Sequence, residues 1–143
     1  MAFCERLSEQ LAVVGTIDPA ATTGLASVDQ IDMSLHRRCL FTLMTGAVLT
    51  TGILVNIQEG TVAAPAAAVI LTSAAVNQAT IASQYIFEVS AEAMGAGYTH
   101  LRFDVTPDTA ASVLAVLAQA DVERYHPGSD RNLNTAHIIA CAN

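Results

Sequence analysis

Along much of the chain apolar and polar residues alternate one for one. Cys39, Phe41 and Leu43 alternate with Leu40, Thr42 and Met44, and Ile53, Val55 and Ile57 alternate with Leu54, Asn56 and Gln58. Further on, Tyr85, Phe87 and Val89 alternate with Ile86, Glu88 and Ser90, and Leu101, Phe103 and Val105 with His100, Arg102, Asp104 and Thr106. A period of two sends successive side chains to opposite faces of a pleated strand. These runs therefore predict strands with one face on a core and the other toward water. Gly46 and Gly52 lie between the first two runs and predict a turn joining them as a hairpin. Gly95 and Gly97 make Ala91 to Gly97 a loop with room for one turn of helix.

Elsewhere the pattern changes. Residues 1–14 place Phe3, Leu7 and Leu11 at every fourth position with Glu5, Arg6, Glu9 and Gln10 between them, a narrow apolar stripe on a short helix. So short a helix is marginal alone in water and needs a surface to dock on. Residues 15–26 (GTIDPAATTGLA) read as a linker. Two stretches suit either helix or strand: the alanine-rich 63–76, and 109–120, where Asp108 or Thr109 would cap a helix. Strands are favoured in both, because closing a sandwich of this length requires them. Residues 123–143 return to turn chemistry, with Pro127-Gly128-Ser129-Asp130 and the asparagines Asn132 and Asn134, before a short apolar ending at 137–141. The expected architecture is mostly β, an antiparallel, jelly-roll-like β-sandwich over 27–122. A short N-terminal helical arm and linker over 1–26 precede it, and an extended C-terminal arm over 123–143 follows, in a single domain.

Composition sharpens this picture. Hydrophobic residues make up 52% of the 143 and charged ones 13%, against about 25% charged in an ordinary globular domain. A chain so poor in charge is expected to hide part of its outer surface against neighbours. The net charge is −7, with six arginines and no lysine. Phosphate recognition needs clustered cations, and the adjacent pair Arg37-Arg38 is what a solvated strand end looks like, so nucleic acid is excluded as a partner. Arginine without lysine suits planar, bidentate contacts at interfaces. Cys4, Cys39 and Cys141 are odd in number and widely spaced, which disfavours a disulfide framework or a zinc ribbon. Glu5, Arg6 and Glu9 occupy the place of a signal-peptide apolar core. Residues 39–58 and 60–87 carry no charge and are long enough to span a bilayer. Their interspersed Thr, Ser, Asn and Gln, with Pro65, argue against that, and no membrane association is expected.

No catalytic signature stands in the chain: no phosphate-binding glycine loop, dinucleotide fingerprint, nucleophile elbow, zinc-protease helix or calcium loop. His36 and His100 have no ligand partner at metal spacing, and His126 with His137 offers only the turn at Asp130. The carboxylate pairs Asp29 and Asp32, Asp104 and Asp108, and Asp121 and Glu123 sit at expected strand ends or turns, where capping and solubility explain them. No enzyme activity, cofactor or metal is expected.

Several short segments, in order, resemble small structural proteins of tailed phages. They are Val28-Asp29-Gln30-Ile31-Asp32-Met33-Ser34, then Arg37-Arg38-Cys39-Leu40-Phe41-Thr42-Leu43, Asn56-Ile57-Gln58-Glu59, Gly97-Tyr98-Thr99-His100-Leu101-Arg102 and Arg124-Tyr125-His126-Pro127-Gly128-Ser129-Asp130. The opening, Leu7 to Val14 with Ile17-Asp18-Pro19, is similar as well. The chain departs from the pattern over 60–83, where a polar turn is expected and an uncharged, alanine-rich stretch stands.

The resemblance implies a β-sandwich virion protein on the outer capsid surface, made in the host cytoplasm, that acts as a cement or decoration protein. Its partners would be the major capsid protein, other copies of itself, or both, as a homo-oligomer of two or three chains. Phe3, Leu7 and Leu11 in the first arm and Tyr125, Leu133 and Ile138 in the last are the expected interface residues. A neck or tail adaptor or a fibre-like module is the alternative within the virion. A small-ligand or carbohydrate-binding sandwich is the alternative outside it, and the lack of tryptophan weighs against that one.

Overall fold

The computed structural model describes residues 11–46, 52–61, 69–76, 83–107 and 112–121. They form nine strands: β1 (Leu11–Thr22), β2 (Ala26–Ser27), β3 (Ile31–Asp32), β4 (Arg38–Thr45), β5 (Ile53–Gly60), β6 (Val69–Val76), β7 (Ser83–Ser90), β8 (His100–Pro107) and β9 (Ser112–Asp121). Four make one sheet in the order β1-β9-β4-β7, and the others make a second in the order β2-β8-β5-β6, with β3 also on β8. All these pairings are antiparallel. The pairs β5 with β6, β4 with β7, β2 and β3 with β8, and β1 with β9 are successive rungs of one long folded ribbon. Wrapped around a core, such a ribbon is a jelly roll. The antiparallel sandwich expected from the alternation is thus the fold.

The alternation works because each strand gives the core one face. Cys39, Phe41 and Leu43 from β4, Ile53, Val55 and Ile57 from β5, and Leu101, Phe103 and Val105 from β8 are all buried, as are Leu114, Val116, Ala118 and Ala120 from β9. Phe41 stacks on Phe103 across the two sheets with centroids 4.8 Å apart, and Phe87 tilts onto the same ring at 5.4 Å. The two ambiguous stretches supply strands β6 and β9, and the expected helical turn in the loop after β7 is a 3-10 turn, Ala91–Ala93.

Two sequence expectations are corrected. The helix read over 1–14 and the linker read over 15–26 give way, within the described residues, to β1, which pairs with β9 from Leu11↔Asp121 to Thr22↔Ser112. Leu11 ends the four-residue apolar spacing, and from there Ala12 and Val14 turn inward together while Val13 turns out. Register shifts between Val13 and Gly15 and between Ile17 and Ala20 let the strand pass Gly15 and Pro19. An edge strand tolerates both residues, since one side of its backbone owes no ladder bond. The hairpin read between β4 and β5 is also absent: β4 pairs with β7 and β9, β5 with β6 and β8. Alternation identifies the buried face of a strand but not its neighbour, and the connection between these two crosses from one sheet to the other.

Candidate functional site: two unlike sheet faces and an end cleft

The outward faces of the two sheets differ in chemistry. On the four-stranded sheet, β9 turns Val113, Ala115, Leu117 and Gln119 outward, β4 turns Leu40, Thr42 and Met44, and β7 turns Gln84 and Ile86. Register aligns Thr16, Leu117, Thr42 and Ile86 in one row and Val13, Gln119 and Leu40 in the next. The first row carries no charge, the second ends on Glu88 beside Leu40, and β1 adds the exposed Asp18. Ile86 is 67% exposed, Val113 50% and Met44 37%. The charges of β4, β7 and β9 gather at one end of the face, where Arg38 lies 3.5 Å from Glu88 and Asp121 closes β9.

The other sheet is mixed outside, with Leu54 42% exposed on the same face as Asn56 and Gln58. Arg102 Nη2 donates to Gln58 Oε1 at 2.7 Å and to Asp104 Oδ2 at 2.9 Å. Asp104 is almost wholly buried, and its Oδ1 and the Nε of Arg102 have no hydrogen-bond partner. Asn56 pairs across from Asp104, and His100 Nε2 lies 4.0 Å from Asp32 Oδ2. The strands of this sheet carry a single benzenoid ring, Phe103, and it faces the core.

At the charged end of the sandwich, a cleft of about 720 Å³ is lined by Arg37, Arg38, Ser90, Ala91, Glu92 and Asp121. Asp121 organises it. Its Oδ1 accepts from the backbone N–H of Arg37 at 2.8 Å and of Arg38 at 3.3 Å, and its carbonyl oxygen accepts from Nδ1 of the buried His36 at 2.7 Å. On the far side, buried Glu59 holds the loop after β7 by accepting the Gly95 N–H at 2.8 Å. A smaller hollow of about 220 Å³, lined in part by Met33, Met94 and Tyr98, adjoins this loop.

No family model matches the chain, and no curated protein matches it. A solved structure described as "CBM4 structure and function" is similar over 78% of this chain and 70% of that one, at 13% identity and a TM-score of 0.48.

Of the residues expected to bind partners, Leu11 alone lies in the described part. It opens β1 opposite Asp121 and is half-buried, a strand residue on the outward face of the four-stranded sheet instead of the end of a helical stripe. Phe3, Leu7, Tyr125, Leu133 and Ile138 lie outside the described residues, as do Cys4, Cys141, Asp108, Glu123, His126 and His137. Cys39 is a buried core thiol. Of the carboxylates in the described residues, Asp32 caps a turn by accepting the Ser34 N–H at 2.9 Å, Asp29 is exposed, Asp104 pairs with Arg102, and Asp121 binds backbone. Among the described residues no three metal-ligating side chains gather, and no helix is long and apolar enough to cross a membrane.

Proposed function

We propose that this chain is a structural protein that works by binding other proteins, as a cement or decoration protein on the outer capsid surface of a tailed phage. The observation that carries the reading is the apolar patch on the outward face of the four-stranded sheet, where Ile86, Val113 and Met44 are open to water. A sheet face of this kind gains free energy by being covered, roughly 25 cal/mol for each Å² of apolar surface removed from water. The sequence resemblance to phage structural proteins supplies the class of partner, the major shell protein. Repeated over a symmetric shell, contacts of modest individual strength add through avidity.

Quantitative mass spectrometry of purified particles tests this. The chain is expected at a copy number comparable with that of the major shell protein. A count that fits a single ring would move it to the neck or tail, and absence from particles overturns the reading. Val113→Glu and Met44→Glu, on the outward face, are expected to fold and to be lost from particles in a salt wash that retains the parent chain.

The small-ligand or carbohydrate reading has one observation in its favour, the buried Asp104 and Arg102 with polar atoms left over on the five-stranded sheet. Ligand sites of this kind combine a few polar groups with hydrophobic and aromatic walls, and the outward positions of that sheet carry no tryptophan, tyrosine or phenylalanine. Titration of the purified chain with a panel of soluble glycans is expected to show no heat of binding.

A further inference from the structure

Five of the described strands border the two sheets, and four are blunted against pairing with another chain. β1 carries Pro19 and two register shifts. β2 and β3 are two residues each. The register of β6 against β5 skips Leu71. Prolines, bulges and short edges are the usual devices that stop an exposed ladder from recruiting a further strand. β7 (Ser83–Ser90) has none of them. Its register against β4 runs unbroken from Arg38↔Ser90 to Thr45↔Ser83, and its sequence, SQYIFEVS, contains no proline, glycine or cation and one carboxylate.

Within this strand the bonding groups that face outward can be assigned. Ala91 N donates to Arg37 O at 2.8 Å, a bond between directly opposed residues. Antiparallel ladders alternate, so Gln84, Ile86, Glu88 and Ser90 point their N–H and C=O groups away from β4. β7 pairs with no other described strand. Along this border Ile86, 67% exposed, stands outside between the polar Gln84 and Glu88, and Tyr85 and Phe87 are only partly covered inside.

We propose that β7 is a strand-addition site for a second copy of this chain, pairing β7 with β7 in antiparallel fashion about a two-fold axis at Ile86. Charge complementarity selects both occupant and register. With the axis at Ile86, the two Ile86 side chains meet, Tyr85 meets the Phe87 position of the other copy, and each Glu88 faces a Gln84 amide that can donate to it. The two Glu88 carboxylates then stand four residues apart along the strand, about 13 Å at the usual rise. Moving the axis to Phe87 sets Glu88 against Ile86, and parallel pairing sets Glu88 against itself; both are unfavourable. An antiparallel match closes on itself as a dimer, joining two four-stranded sheets into one of eight strands. It also lets two chains of net charge −7 approach along a border that holds one carboxylate each. This inference stands apart from the proposed function, since either can fail without the other.

Sedimentation velocity on the purified chain tests it. A reversible dimer is expected. Ile86→Pro removes an outward N–H at the axis and is expected to give a monomer with unchanged β-sheet circular dichroism. Gln84→Lys sets a cation against Glu88 of the other copy and Gln84→Glu sets a like charge there. These two are expected to move the dimer dissociation constant in opposite directions, each by about two- to thirty-fold over the two symmetric pairs, and neither needs Ile86→Pro to fold. A chain that stays monomeric at every concentration, or a dimer indifferent to the sign of the charge at position 84, overturns the proposal.

Discussion

Gly15 shows how little room the core leaves at one residue. It is buried in β1 where the register shifts, and a Cβ placed there would overlap Cγ1 of the buried Val28. Alanine in a strand would otherwise be favoured over glycine by roughly 0.5–1 kcal/mol of backbone entropy. Overpacking a closed core costs about 1–3 kcal/mol and outweighs it. Gly15→Ala is therefore expected to lower the urea midpoint, and to lower it by much less in a Val28→Ala background, where the opposing methyl is gone. Equal losses in the two backgrounds would show that the contact does not limit the site. The same closeness explains the aromatic choices: Phe41 and Phe87 both pack on Phe103, so one ring from the second sheet ties two strands of the first.

At the scale of elements, strand ends are held by side chains where ladder bonds run out. Asp121 stops β9 and, through Oδ1, receives the backbone of Arg37 and Arg38 as β4 begins. Each such bond contributes a net of about 1 kcal/mol, partly offset here because the carboxylate is in reach of water. Asp121→Ala is expected to destabilise the chain by about 1–2 kcal/mol and to speed hydrogen exchange at the Arg37 and Arg38 amides. Asp121→Asn keeps an oxygen acceptor in place and is expected to retain most of the protection. Exchange measured by NMR separates the two. Much of the element list was legible beforehand: the runs around Phe41, Val55, Phe87 and Phe103 all lie in strands. β1 was not, because Leu11 continues a four-residue apolar spacing and Gly15 and Pro19 read as a linker, whereas an edge position tolerates both.

For the whole molecule, the order of the sheets sets how folding must proceed. β1 pairs with β9 and β4 with β9, so an inner strand of one sheet is the last of the described strands along the chain. Loop closure over such separations must come before the contacts reward it, which places jelly-roll folding in the millisecond to second range. Stopped-flow refolding is expected in that range. Leu114→Ala, at a fully buried position of β9, is expected to cost about 2–5 kcal/mol and to move every spectroscopic probe of unfolding together. Separate transitions for the two sheets would contradict a shared core. The placing of surface chemistry also belongs to this scale: Ile86, Val113 and Met44 lie outside one sheet, and Leu54 lies outside the other with Arg102, Asp104 and Gln58.

Taken by itself, the order of residues determined that the chain is built of strands, which side chain of each alternating pair goes inward, and that its cations are six arginines without a lysine. Those are properties of a two-residue period and of composition, and both are local. Only the tertiary structure decided which strands lie side by side, that Leu11 to Thr22 is a strand, that Ile86, Val113 and Met44 share one outward face, and that β7 is an edge among the described strands. Pairing joins residues as distant as Leu11 and Asp121, and no short-range pattern encodes a partner more than a hundred positions away.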